Sequence, residues 1–187
     1  MTDQRRISLQ FCGFGGQGLV LSATVLGTAA VRAGLFGVQT QSYGSEARGG
    51  ECQAELSVSA APVRSPSPDQ VDILVAMSQA ALDRYVKRLR PGGTLVIDPQ
   101  FVKRPQKVDA RVLEVPVTRI ATDDLGQTIV ANMVLLGFLR QATGIVPEAA
   151  LLEAIRESVP ERFRDTNLEA AARGKALAVE QKIAVEV

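Results

Sequence analysis

The chain has 187 residues, 46% of them hydrophobic and 22% charged, and 21 basic against 20 acidic side chains leave a formal charge of +1. That length can bury a substantial core without staples, and the charge balance supplies no global field to recruit nucleic acid or an anionic membrane. Histidine and tryptophan are absent and Cys12 and Cys52 are the only cysteines, which excludes imidazole bases, Ser-His-Asp and Cys-His nucleophiles, and any iron-sulfur cluster or structural zinc site held by this chain alone.

The opening Met1 to Arg6 and the short apolar run after it lack the core and cleavage site of a signal peptide, so a cytoplasmic location is expected. No apolar stretch is long enough to span a bilayer. Ile7 to Cys12 alternates apolar with polar or small residues and runs into Gly13-Phe14-Gly15-Gly16-Gln17-Gly18, predicting a strand that ends in a tight glycine turn. Leu19 to Ala33 is rich in Ala, Leu and Val without proline and is followed by Gly34, which predicts a helix with a glycine at its C-terminal end. Val38 to Ser42 and Cys52 to Ser59 read as strands, joined by the polar, glycine-bearing stretch Tyr43 to Gly50. Prolines 62, 66 and 68 break regular structure before Val71 to Met77, apolar enough for a central strand buried on both faces. Ser78 can cap a helix through Arg90, Pro91-Gly92-Gly93 would end it, and Thr94 to Asp98 would form the next strand. Val112 to Val117 suits one more strand, and Thr128 to Ala142, Pro147 to Ser158 and Glu161 to Val179 suit helices. The expectation is an α/β, Rossmann-like three-layer domain with a mostly parallel sheet and a helical C-terminal third, one domain over residues 1–187.

Gly13, Gly15 and Gly18 satisfy G-x-G-x-x-G in the strand-to-helix context that a dinucleotide site requires. Such glycines let backbone N–H groups approach a phosphate at the positive end of a helix. A NAD site also wants a carboxylate about 20 residues further on, where Gly37 to Ser42 has none. Two readings follow: a bound phosphate ligand, or glycines that only let the helix pack tightly on the strand. No Walker-type G-x-x-x-x-G-K-[ST] is present. In the second glycine-rich stretch Glu46 and Arg48 sit among glycines and a tyrosine. A guanidinium presented there suits phosphate, carboxylate or a partner's acidic loop, and the plain alternative is a β-turn with a surface ion pair. Cys12 and Cys52 read as packed thiols, Asp98 as a turn cap at the carboxyl edge of a strand, and Lys87, Arg88 and Arg90 as a solvated cluster at a helix end.

Taken in order, Gly13 to Gly18, Ser42 to Gly50, Arg64-Ser65-Pro66, Val71 to Met77 and Pro91 to Thr94 resemble the gamma subunit of the 2-oxoacid:ferredoxin oxidoreductases over roughly residues 5 to 180, and the paired glycine motifs are more specific together than singly. The resemblance implies a complex that oxidatively decarboxylates a 2-oxoacid with coenzyme A to an acyl-CoA, carbon dioxide and reduced ferredoxin. It implies alpha and beta partner subunits, with a delta subunit in some assemblies. It further implies that thiamine diphosphate with Mg and the iron-sulfur clusters are held by those partners, and that this chain alone binds no cofactor and supplies no catalytic residue. No Gly-Asp dipeptide, the start of the thiamine motif, occurs here. On the same resemblance, Gly13, Gly15, Gly16, Gln17, Gly18, Tyr43, Gly44, Glu46, Arg48, Gly49 and Gly50 are expected to line an interface with the thiamine-bearing subunits near the coenzyme A channel. Met77-Ser78-Gln79 and the general character of the sequence lean toward 2-oxoglutarate. A free-standing nucleotide- or flavin-binding module is the competing expectation, and a homodimer of the isolated chain is an expected way to cover surface that partners normally bury.

Overall fold

The computed structural model describes residues 6–43 (Tyr43 by its backbone), 50–65 and 67–183. In chain order these form β1 (Ile7–Phe14), α1 (Leu19–Arg32), β2 (Phe36–Tyr43), β3 (Glu51–Ser59), β4 (Val71–Ala76), α2 (Gln79–Tyr85), β5 (Leu89–Ile97), β6 (Ala110–Glu114), α3 (Val117–Arg119), α4 (Ala131–Thr143), α5 (Glu148–Ser158) and α6 (Arg164–Glu180). The strands make one six-stranded sheet in the order β2-β3-β1-β4-β5-β6. β1, β4, β5 and β6 are parallel neighbours, whereas β3 runs antiparallel to both β1 and β2. The sheet is therefore mostly parallel, as expected, with β3 as its reversed member.

Alternation along the strands sorts the core into two layers. Leu9, Phe11, Ala54, Leu56, Val58, Ile73, Val75 and Val96 face one side and pack under α1 and α4, with α5 laid against α1 and α6 against α4. Cys12, Leu74, Ala76, Leu95 and Ile97 face the other side, where α2 contributes Ala81, Leu82 and Tyr85. Gly37 admits α1 closely, since a Cβ there would lie 3.3 Å from the Gly27 carbonyl oxygen.

One boundary departs from expectation. The helix capped by Ser78, whose hydroxyl accepts from the Ala81 N–H, does not reach Arg90. It gives way to a 3-10 turn over Val86–Arg88, and β5 already begins at Leu89 with Pro91, Gly92 and Gly93 inside it. The cause is a bulge. Pairing with β4 shifts register between Val71 and Ile73, Gly92 takes φ +69°, and a Cβ on Gly93 would come within 2.9 Å of the Asp72 carbonyl oxygen. Bulges are where a sheet tolerates proline and demands glycine. The last expected strand also stops earlier, at Glu114, and Val117 opens α3, which continues as a π turn over Ile120–Asp124.

The cationic cluster also differs from a solvated face. Arg88 turns inward to pair with Glu55, which is nearly fully buried, and donates to Gln10 Oε1 and, at 2.6 Å, to the Pro68 carbonyl. Arg90 pairs with Asp72 at 2.6 Å. These contacts fasten the proline-bearing connection between β3 and β4 onto the face of the sheet that α2 leaves uncovered.

Candidate functional site

The carboxyl ends of β1, β4, β5 and β6 form one edge of the sheet, where open α/β folds collect ligands. β1 extends through Gly13 to Phe14, so Gly13 is a strand residue. Gln17 organises the turn that follows. Its Oε1 accepts the Phe14 N–H at 2.7 Å and its Nε2 donates to the Met77 carbonyl at 2.9 Å, linking the ends of β1 and β4. A side chain on Gly13 would collide with the Gln17 carboxamide. Gly16 and Gly18 adopt φ +96° and +71°, and a Cβ on Gly18 would sit 2.6 Å from Asn132 Nδ2. Gly15 donates its N–H to the Gly50 carbonyl at 2.9 Å.

Gly13 and Gly18 thus have a packing reason and Gly16 a conformational one, and the turn spends three of its own donors: the N–H groups of Phe14, Gly15 and Gln17 bond to Gln17 Oε1, Gly50 O and Phe14 O. A dinucleotide cradle needs such donors free. It also needs the strand after the first helix beside β1, so that its end reaches the ribose. Here β3 separates β2 from β1. The turn therefore lacks two features of a dinucleotide cradle.

The anchors of the second glycine stretch lie beside the first: Tyr43 ends β2, and Gly50, ahead of β3, accepts from Gly15. Gly44, Glu46, Arg48 and Gly49 lie outside the described residues. Below Gly50, Glu51 pairs with Arg84, which stacks 5.4 Å over the Tyr85 ring. Burial first, then the Glu51 hydrogen bond, pushes the Tyr85 hydroxyl up to about 12. Cys12 donates to the Val75 carbonyl at 3.3 Å, and burial raises its thiol far above the ordinary value, with Glu51 adding to the effect. Cys52 is opposite Gly13 across the β1–β3 ladder while Cys12 is opposite Gln53, so the two thiols point to opposite faces and cannot share a ligand or a disulfide. Among the described residues no group of three His, Cys, Asp or Glu side chains could hold a metal.

Further along the edge Asp98 is fully buried and caps two turns: Oδ1 accepts from the Gln100 N–H and Oδ2 from the Thr118 N–H, each at 3.0 Å. The turn-capping role expected from sequence is what its geometry provides. Pro99, Gln100, Pro116, Arg119, Thr122 and Asp123 line a shallow cavity of about 450 Å³ beside it. Phe14 at the end of β1, Phe101 after β5 and Ile129 ahead of α4 are exposed. Sequence reading passed over these three, and over Asn132, whose Nδ2 reaches the Gly18 carbonyl at 3.5 Å. The signal for Asn132 was a lone amide within the apolar run Val130 to Leu136.

The edge is thus built from a mixed sheet and a glycine turn that Gln17 and Gly50 brace. The profile of the pyruvate ferredoxin/flavodoxin oxidoreductase family matches residues 8–177, and the chain belongs to that family, as the sequence resemblance implied. It is 44% identical to a 2-oxoglutarate synthase subunit KorC of Methanothermobacter thermautotrophicus, over 94% of this chain and 96% of that protein. With a pyruvate synthase subunit PorC of the same organism identity falls to 32%, over 88% of this chain and 92% of that protein. Among solved structures, a keto/oxoacid ferredoxin oxidoreductase gamma subunit from Geobacter sulfurreducens superposes with a TM-score of 0.82 at 35% identity, covering 93% of this chain and 99% of the other. A 2-oxoglutarate:ferredoxin oxidoreductase from Magnetococcus marinus, solved with 2-oxoglutarate, coenzyme A and succinyl-CoA, matches at 0.88 and 25% identity over 98% of this chain and 32% of that longer chain. Among the described residues no helix is long and apolar enough to cross a membrane.

Proposed function

We propose that this chain is the gamma subunit of a 2-oxoglutarate:ferredoxin oxidoreductase, completing a complex that converts 2-oxoglutarate and coenzyme A to succinyl-CoA and carbon dioxide while an electron pair leaves to ferredoxin. The observation that carries the reading is its 44% identity to a 2-oxoglutarate synthase subunit over nearly the whole length of both chains, against 32% to a pyruvate synthase subunit. Alpha and beta subunits, with a delta subunit where present, hold thiamine diphosphate with Mg and the iron-sulfur clusters, and these groups supply the decarboxylation and electron transfer. This chain's part is to bind and position. Gln17 fixes the end of β1 against the end of β4, and Phe14, Phe101 and Ile129 give the edge an apolar contact surface that excludes water when a partner subunit covers it. Tyr43, Gly44, Glu46, Arg48, Gly49 and Gly50, with the Gly13 to Gly18 turn, line that interface, where Arg48 meets a coenzyme A phosphate or a partner carboxylate.

The test is to tag the chain in its native host, purify it anaerobically, identify the companion chains and assay coenzyme A-dependent viologen reduction with each 2-oxoacid. Companions bearing clusters and thiamine diphosphate, with activity on 2-oxoglutarate, are expected. Activity on pyruvate instead would overturn the substrate, and an inactive chain eluting alone would overturn the complex. Arg48→Ala should weaken assembly or raise the apparent KM for coenzyme A.

A further inference from the structure

β2 is an outer strand of the sheet, with β3 its only ladder partner among the described residues. Half of its backbone N–H and C=O groups therefore point away from the sheet, a template for another strand. Natural sheets blunt such edges with lysine, proline or a bulge. Phe36 to Ser42 contains no charged residue and no proline, and its pairing with β3 runs without a register shift. On the α1 side the edge opens into a groove lined by Thr24, Gly27, Thr28, Val31, Gly37 and Gln39, and Val31 is 59% exposed. Arg32 and Glu157, at the end of that groove, are already paired with each other.

We infer that this edge joins two copies of the chain, β2 to β2 antiparallel about a two-fold axis through Thr40, into one continuous sheet. Residues directly opposite in a ladder share a face. The axis must then pass through a residue rather than between two. Placed at Thr40 it sets Gln39 against Gln41 twice and Val38 against Ser42 twice. A carboxamide carries donor and acceptor together and so complements its own kind, as Gln39 Nε2 and Gln41 Oε1 do within one chain at 3.4 Å. A charged foreign strand would meet no counter-charge here, whereas a second copy brings the same uncharged edge and the same small-residue groove on the same face. The inference does not depend on the reaction assigned above.

The test is made on the purified full-length chain. Sedimentation should give the mass of two chains. Thr40→Cys should form an interchain disulfide on mild oxidation, since Cys12 and Cys52 are buried. Q39K/Q41K sets lysines opposite one another on both sides of the axis and should reduce the mass to one chain with the far-UV circular dichroism unchanged. A wild-type chain sedimenting as a monomer, a Thr40→Cys chain that stays uncrosslinked, or a Q39K/Q41K chain that keeps the mass of two would each overturn it.

Discussion

Gly137 of α4 and Gly174 of α6 hold their helices backbone against backbone: a Cβ on Gly137 would run into the Ala171 carbonyl, and one on Gly174 into the Val134 carbonyl. Neither obstacle is a flexible side chain that can swing aside. Gly137→Ala and Gly174→Ala should each cost about 3 kcal/mol, the upper end of overpacking effects, lowering Tm by about 10 °C in calorimetry. An alanine tolerated at either position with unchanged Tm would contradict this crossing.

Arg88 ties Glu55, Gln10 and the Pro68 carbonyl into one network. Arg88→Met leaves the Glu55 carboxylate buried without its cation, a loss of about 3–5 kcal/mol. Adding Glu55→Gln removes the stranded charge and should recover part of that loss. A double-mutant cycle in urea measures both terms, and a double variant no better than Arg88→Met would refute the buried-charge account.

Gln17→Ala removes the acceptor of the Phe14 N–H and the donor to the Met77 carbonyl. The global cost should be modest, about 1–2 kcal/mol. Locally, the Phe14 amide should exchange hydrogen far faster while those of the β1 interior stay protected. Uniform loss of protection across β1 would mean that Gln17 supports the whole strand rather than the turn.

Cys12 has a thiol raised from an ordinary value of 9.0, Cys52 a thiol raised from the same value, and Tyr85 a hydroxyl raised from 10.0 to about 12. In each case the folded state keeps a proton that the unfolded state releases, so ΔG of unfolding falls as pH rises. Stability from the thiols should decline above about pH 9, and that from Tyr85 between about pH 10 and 12. Urea midpoints across pH 8 to 11 test this, with Cys12→Ala expected to flatten the early part of the slope. Neither thiol should react with iodoacetamide in the native chain at pH 8, and both should in denaturant.

Much of the architecture was legible because local chemistry agreed with global placement. Alternation from Ile7 to Cys12 and the apolar run from Val71 marked strands whose residues do fill the core, and Ser78, Gly34 and Pro147 marked helix ends at or beside the observed ones. What stayed hidden was non-local. The direction of β3 depends on pairing with a strand some 40 residues earlier and leaves no trace in its own alternation. Pro91 to Gly93 carry the same letters as a helix stop, and only the bulge against β4 makes them part of a strand. Arg88 and Arg90 look like solvent-facing cations until Glu55 and Asp72 are seen across from them. At the site, the glycine motif was visible but its meaning was not, because Gln17 reaching Met77, 60 residues on, decides how the turn uses its donors.

β1 lies in the middle of the sheet, flanked by β3 and β4, both of which follow it in the chain. Such non-local wiring slows folding and leaves a nascent β1 with both edges open. Both edges of β1 close once the chain through Ala76 is present, well ahead of the helical last third.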